Sequence, residues 1–138
     1  MSRDLWGYGW RIASQDYWTL DRPGQPDHPF HDLGPDFDSL YDQPHDWFFN
    51  GMALGADEVV DQLRAARGNP DHPVQVYRAV PPGQVGINTG DWVTPSRAYA
   101  EEFGGPDAQI VSARVPAKHV ALGGDSMYEY GYHGPGVH

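Results

Sequence analysis

The 138-residue chain predicts an α+β fold within a single domain. Two patterns carry that prediction. Ala56, Val59, Val60, Leu63 and Ala66 recur at helical spacing. From Val74 the apolar period becomes two, and four further short strand-like runs follow. A third observation says that the chain folds: five Trp, eight Tyr and five Phe supply the buried area that offsets chain entropy, despite 17 Gly and 13 Pro.

Residues 1–53 read as an irregular aromatic region. Trp6, Tyr8, Trp10, Tyr17 and Trp18 lie among Gly and polar residues, and their rings are expected to plug onto the core. Asp21-Arg22-Pro23-Gly24 and Gly34-Pro35-Asp36 are turn chemistry. A short helix is expected to start around Pro44 and carry Trp47, Phe48 and Met52 inward. The main helix runs from Ala56 to Arg67. Asp57 and Glu58 in its first turn and Arg64 and Arg67 in its last suit the helix dipole, and Gly68 and Pro70 stop it.

Val74 to Val80 is the first expected strand and Asp91 to Thr94 the second. Ser96 is placed to cap a helix through Phe103, ended by Gly104-Gly105-Pro106. Gln109 to Val115, His119 to Leu122 and Met127 to Tyr132 complete the strands, the last after a turn at Gly123-Gly124-Asp125. The tail from Gly131 to His138 is expected to be extended or mobile.

Nine Lys and Arg stand against nineteen Asp and Glu, a net charge of −10. That argues against binding a phosphate backbone or an anionic membrane surface. The absence of cysteine excludes disulfides and cysteine-ligated zinc. No apolar run reaches the roughly 20 residues of a membrane span, and the N-terminus has no apolar signal region, so the cytoplasm is the expected location. Seven histidines include His28-x-x-His31 in a Pro-rich turn, but none forms a two-His-plus-Glu helical pattern, and no metal site is expected.

Three residues resist a pure packing account. Arg78 shares a strand face with Val74, Val76 and Val80, where a charge needs either a structural ion-pair partner or an anionic ligand. Glu129 lies on the strand face opposite Tyr128, Tyr130 and Tyr132. It is either solvated on an edge strand or a carboxylate set in a cleft. Ser96 is either an N-cap or a hydroxyl that holds a catalytic carboxylate.

Taken in order, Val76-Tyr77-Arg78-Ala79-Val80-Pro81, then Asp91-Trp92-Val93-Thr94-Pro95-Ser96 with Tyr99, then Asp125-Ser126-Met127-Tyr128-Glu129, resemble an ADP-ribosyltransferase domain. The order Arg, Ser, Glu is similar to that of the Arg-Ser-Glu mono-ADP-ribosyltransferases, and the whole to the small domains of phages and mobile elements. The resemblance covers roughly Ala56 to Gly134 and implies two small packed β-sheets, with an NAD-binding catalytic core over 54–134. It implies that Arg78 holds NAD near the nicotinamide ribose and pyrophosphate, and that the Ala79 backbone bonds the carboxamide. Ser96, with Thr94, would orient Glu129. Tyr99 would stack on nicotinamide, and Glu129 would stabilise the oxocarbenium-like transition state. Met127 stands where arginine-modifying members carry Glu, which argues against an arginine acceptor. The implied role is a host-modifying effector or toxin acting on a host protein in the host cytoplasm. Two other readings stand beside it: a catalytically silent interaction module in which Arg78 and Glu129 pair with each other, and a small nuclease-type toxin.

Overall fold

A computed structural model describes residues 28–48, 55–123 and 127–137. The rings from Trp6 to Trp18, the turn at 21–24, Met52, Asp125 and His138 lie outside the described residues. Pro35 opens a 3-10 turn, Pro35–Phe37, that runs directly into helix α1, Asp38–Asp42. The expected turn at 34–36 is therefore the entry to a helix, too short to show a period in the sequence. Where a helix was expected from Pro44, one 3-10 turn forms at Pro44–Asp46, closed by the Trp47 N–H on the Pro44 carbonyl at 2.9 Å.

Helix α2, Ala56–Ala66, buries Ala56, Val59, Val60, Leu63 and Ala66, the predicted stripe. Gln62 on this helix acts as a surrogate strand partner. Its Nε2 donates to the Gln75 carbonyl at 2.8 Å, and its Oε1 accepts from the Gln75 N–H at 2.7 Å. A side-chain amide presents the same donor–acceptor pair as a peptide unit, so it satisfies strand backbone that would otherwise lack a neighbour.

Strand β1, Pro73–Val80, pairs antiparallel with β3, Gln109–Pro116, from Pro73↔Pro116 to Val80↔Gln109. Between them come β2, Trp92–Val93, and helix α3, Arg97–Gly104. A 3-10 turn at Ala117–His119 leads into β4, Val120–Leu122, and β5 spans Tyr130–Tyr132. The second sheet has the order β2-β5-β4, all antiparallel. An isolated bridge, Tyr77↔Thr94, stitches the two sheets together. The described residues thus form an α+β arrangement of two small antiparallel sheets with few helices.

Two expectations change. The last strand begins at Tyr130 rather than Met127, and Met127 to Glu129 form a buried turn and connection. Its partners β2 and β4 are two and three residues long, so no ladder extends further back. The tail is tied down: Ile87 and Val137 exchange backbone hydrogen bonds at 2.7 and 2.8 Å, and Thr89 Oγ1 donates to the Gly134 carbonyl. The core also crosses the expected boundary at residue 53. Phe30, Leu33, Leu40, Tyr41 and Phe48 belong to the same buried cluster as Val59, Val76, Tyr99 and Tyr130. No helix of the described residues is long and apolar enough to cross a membrane.

Candidate active site

Strand alternation places Arg78 beside Val76 and Val80 on the buried face of β1, as expected, with 3% exposure. Its guanidinium Nε lies 3.6 Å from Asp91 Oδ2, and Nη1 donates to the Trp92 carbonyl at 3.0 Å. Asp91 Oδ2 in turn accepts the Asn88 N–H at 2.8 Å. Asp91 is 2% exposed. Sequence reasoning saw it only as the start of a strand. Residues 91–96 are all buried, so strand parity does not single Asp91 out. A buried arginine on β1 and a buried carboxylate just before β2 compensate each other.

That pair makes Arg78 part of what holds the fold. Arg78→Ala would leave Asp91 as a buried carboxylate stripped of its guanidinium, a loss on the order of 3–5 kcal/mol. It would not spare the fold.

A second constellation forms where β2 gives way to α3. Ser96 is the N-cap of α3: its Oγ accepts the Tyr99 N–H at 3.1 Å, in extended backbone geometry. Thr94 Oγ1 accepts the Ser96 N–H at 3.2 Å, so threonine holds the cap in place. The Ser96 hydroxyl donates to Glu58 Oε1, 3.1 Å away on α2. Glu129 Oε2 accepts a hydrogen bond from the Tyr99 hydroxyl.

The Tyr99 ring lies flat against Tyr128, with centroids 4.5 Å apart and planes 6° apart. Tyr128 meets Phe48 edge-on at 5.1 Å. One face of the Tyr99 ring is therefore taken by a neighbour of Glu129. Phe48, outside the span of the resemblance, buttresses that neighbour. Burial pushes the Tyr128 phenol above its ordinary pKa, and the Asp57 carboxylate adds to the effect.

Backbone register ties the two constellations. Trp92 pairs with Gly131 and Val93 with Tyr130, which sets β2 against the strand that directly follows Glu129. Thr94 is also bridged to Tyr77, the residue before Arg78. Ala79 is fully buried at the end of β1, packed under Gly104 of α3. Glu129 is 4% exposed, which overturns the picture of a solvated edge glutamate. Among the described residues, no three His, Asp or Glu side chains stand together as a metal-ligand set.

The chemistry available is electrostatic. A carboxylate in a low-dielectric site, oriented by a phenol, stabilises positive charge far better than one in water. A buried guanidinium on the adjoining strand can take an anion in place of its carboxylate partner. No family model, no curated protein and no solved structure matches this chain, and the reading of the site therefore stands on its own residues and their geometry.

Proposed function

We propose that this chain is an NAD-dependent mono-ADP-ribosyltransferase of ADP-ribosyltransferase-like fold. The observation that carries the reading is the buried set Arg78, Ser96, Tyr99 and Glu129, drawn from elements that meet along β2. These are the polar residues that the sequence order marks, and none of them is solvated.

In this reading NAD is a substrate. The bond between nicotinamide and ribose C1 breaks, and nicotinamide departs with the bonding pair. The ribose acquires oxocarbenium character, which Glu129 stabilises. An acceptor nucleophile then bonds to C1 and gives up its proton. Arg78 receives the pyrophosphate, a needed local cation on a chain of net charge −10. The same charge favours a protein acceptor over a nucleic acid, and a host protein is the acceptor to test first.

The decisive experiment follows nicotinamide release from NAD by the purified chain, then incubates it with labelled NAD and a host lysate. Slow release and a labelled protein band are expected. Arg78→Lys keeps a cation beside Asp91 but loses the two-pronged geometry, so it should bind NAD about tenfold more weakly in a folded protein. A folded wild type that neither binds NAD in calorimetry nor releases nicotinamide would sink the proposal.

Two observations favour a second reading, a catalytically silent module. Asp91 already engages Arg78, and Tyr128 already covers Tyr99. On that reading the same calorimetry shows no NAD binding.

A further inference from the structure

The geometry points to Glu58 as a positioning residue that holds Glu129 through Ser96 and Tyr99. Its catalytic consequence rests on the transferase reading above. Glu58 lies in the first turn of α2, a helix remote in sequence from the strands that carry the other site residues, and its side chain is exposed. Ser96 is fully buried. An exposed carboxylate reaches that buried hydroxyl because the chain before α2 comes unusually close. Gly55 adopts φ 81°, and a Cβ there would lie 2.5 Å from Ser96 Oγ and 2.6 Å from Glu58 Oε1. A side chain at position 55 would both strain the backbone and wedge the pair apart.

The consequences run along the hydrogen bonds. With its proton directed to Glu58, Ser96 Oγ presents lone pairs to the Tyr99 N–H. That bond sets the first turn of α3 and hence the origin of the Tyr99 side chain. Tyr99 then grips the Glu129 segment twice. Its hydroxyl donates to Oε2, and its ring stacks on Tyr128, the residue before Glu129. Release of the Ser96 hydroxyl from Glu58 lets the cap rotate, and the error is delivered to Glu129 as a shift of Tyr99.

The test compares Glu58→Ala, Glu58→Gln and the control Asp61→Asn, an exposed carboxylate one position short of a turn further on the same helix. Two readouts are taken. One is kcat and KM for nicotinamide release. The other is the NMR shift of the ζ carbon of Tyr99, which reports its hydroxyl hydrogen bond with or without turnover. Glu58→Ala is expected to move the Tyr99 signal and to lower kcat about tenfold, with KM for NAD within about twofold. Glu58→Gln keeps an oxygen acceptor for Ser96 and should restore both. Added to Ser96→Ala, Glu58→Ala should lower kcat no further, because the two act as one unit. A Tyr99 signal unmoved by Glu58→Ala overturns the inference whatever the turnover, and so does unchanged kcat in an active enzyme. A moved Tyr99 signal in a wild type that never releases nicotinamide supports the positioning role and removes the transferase reading alone.

Discussion

At the scale of single residues, the same atoms can be read as packing or as chemistry, and substitution separates the two. Glu129→Gln preserves an acceptor for the Tyr99 hydroxyl and nearly the same volume, so the melting temperature should hardly move. On the transferase reading, transition-state stabilisation should fall by about 3–4 kcal/mol, a rate loss on the order of 100- to 1000-fold in nicotinamide release. Tyr99→Phe keeps the stack on Tyr128 and removes the donor. Its expected cost is about tenfold in kcat with NAD affinity retained. Equal turnover of Glu129→Gln and wild type would remove Glu129 from the mechanism. Arg78, Ser96 and Glu129 stood out in the sequence because each resisted a pure packing account, and Tyr99 entered only through the resemblance. Asp91 and Glu58 did not stand out, because a carboxylate at a strand start or in a first helical turn already has an ordinary explanation. Only the fold reveals that Asp91 is buried against a guanidinium and that Glu58 receives a buried hydroxyl's proton.

At the scale of elements, α2 and β1 were legible because each combined a period with a stop signal, and α3 because a cap preceded a stop signal. Ser96 in particular announced α3 and performs the capping role expected of it. Helix α1 was hidden because five residues span little more than one turn, and Leu40 and Tyr41 are adjacent rather than periodic. The run Met127 to Tyr132 alternated convincingly, yet both of its alternate sets are buried, so alternation there marked no exposed face. The end of α3 adds a constraint the sequence did not suggest. A Cβ on Gly104 would lie 2.5 Å from the Ala79 Cβ, so helix and strand approach as closely as two chains can. Gly104→Ala should therefore destabilise the fold by about 1–3 kcal/mol in urea denaturation, through overpacking. Combining it with Ala79→Gly should recover much of the loss. An additive penalty in the double variant would refute the contact.

For the molecule as a whole, pH bears on the C-terminal side of the second sheet. The His133 N–H donates to the His119 carbonyl at 2.9 Å, which brings the two histidines level at the end of the β4–β5 pair. Burial holds both imidazoles below their ordinary pKa. Lys118 adds to the effect at His119, and His119 adds to it at His133. The fold therefore favours neutral rings, and the unfolded chain binds more protons just below the ordinary histidine range. Stability from this source is complete above about pH 6.5 and is lost as pH falls through the lowered folded values. The melting temperature should drop between pH 7.5 and 5.5, and His133→Gln should shallow that drop. A drop of equal slope in His133→Gln would assign the acid sensitivity to other groups.

Among the described residues, the bridge between Tyr77 and Thr94 joins the two sheets like a thread through the spine of a book. Its two backbone hydrogen bonds, at 2.8 and 2.9 Å, contribute only about 0.5–1.5 kcal/mol each. Beside that thread, the contacts of Arg78 with Asp91 and the Trp92 carbonyl work as a clasp, since arginine belongs to one cover and its partners to the other. A pyrophosphate offers the guanidinium more negative charge than a single carboxylate does. On the transferase reading, a ligand that takes Arg78 from Asp91 would unfasten the spine in the act of docking, and the side chain that receives the guest would be the one that kept the covers shut.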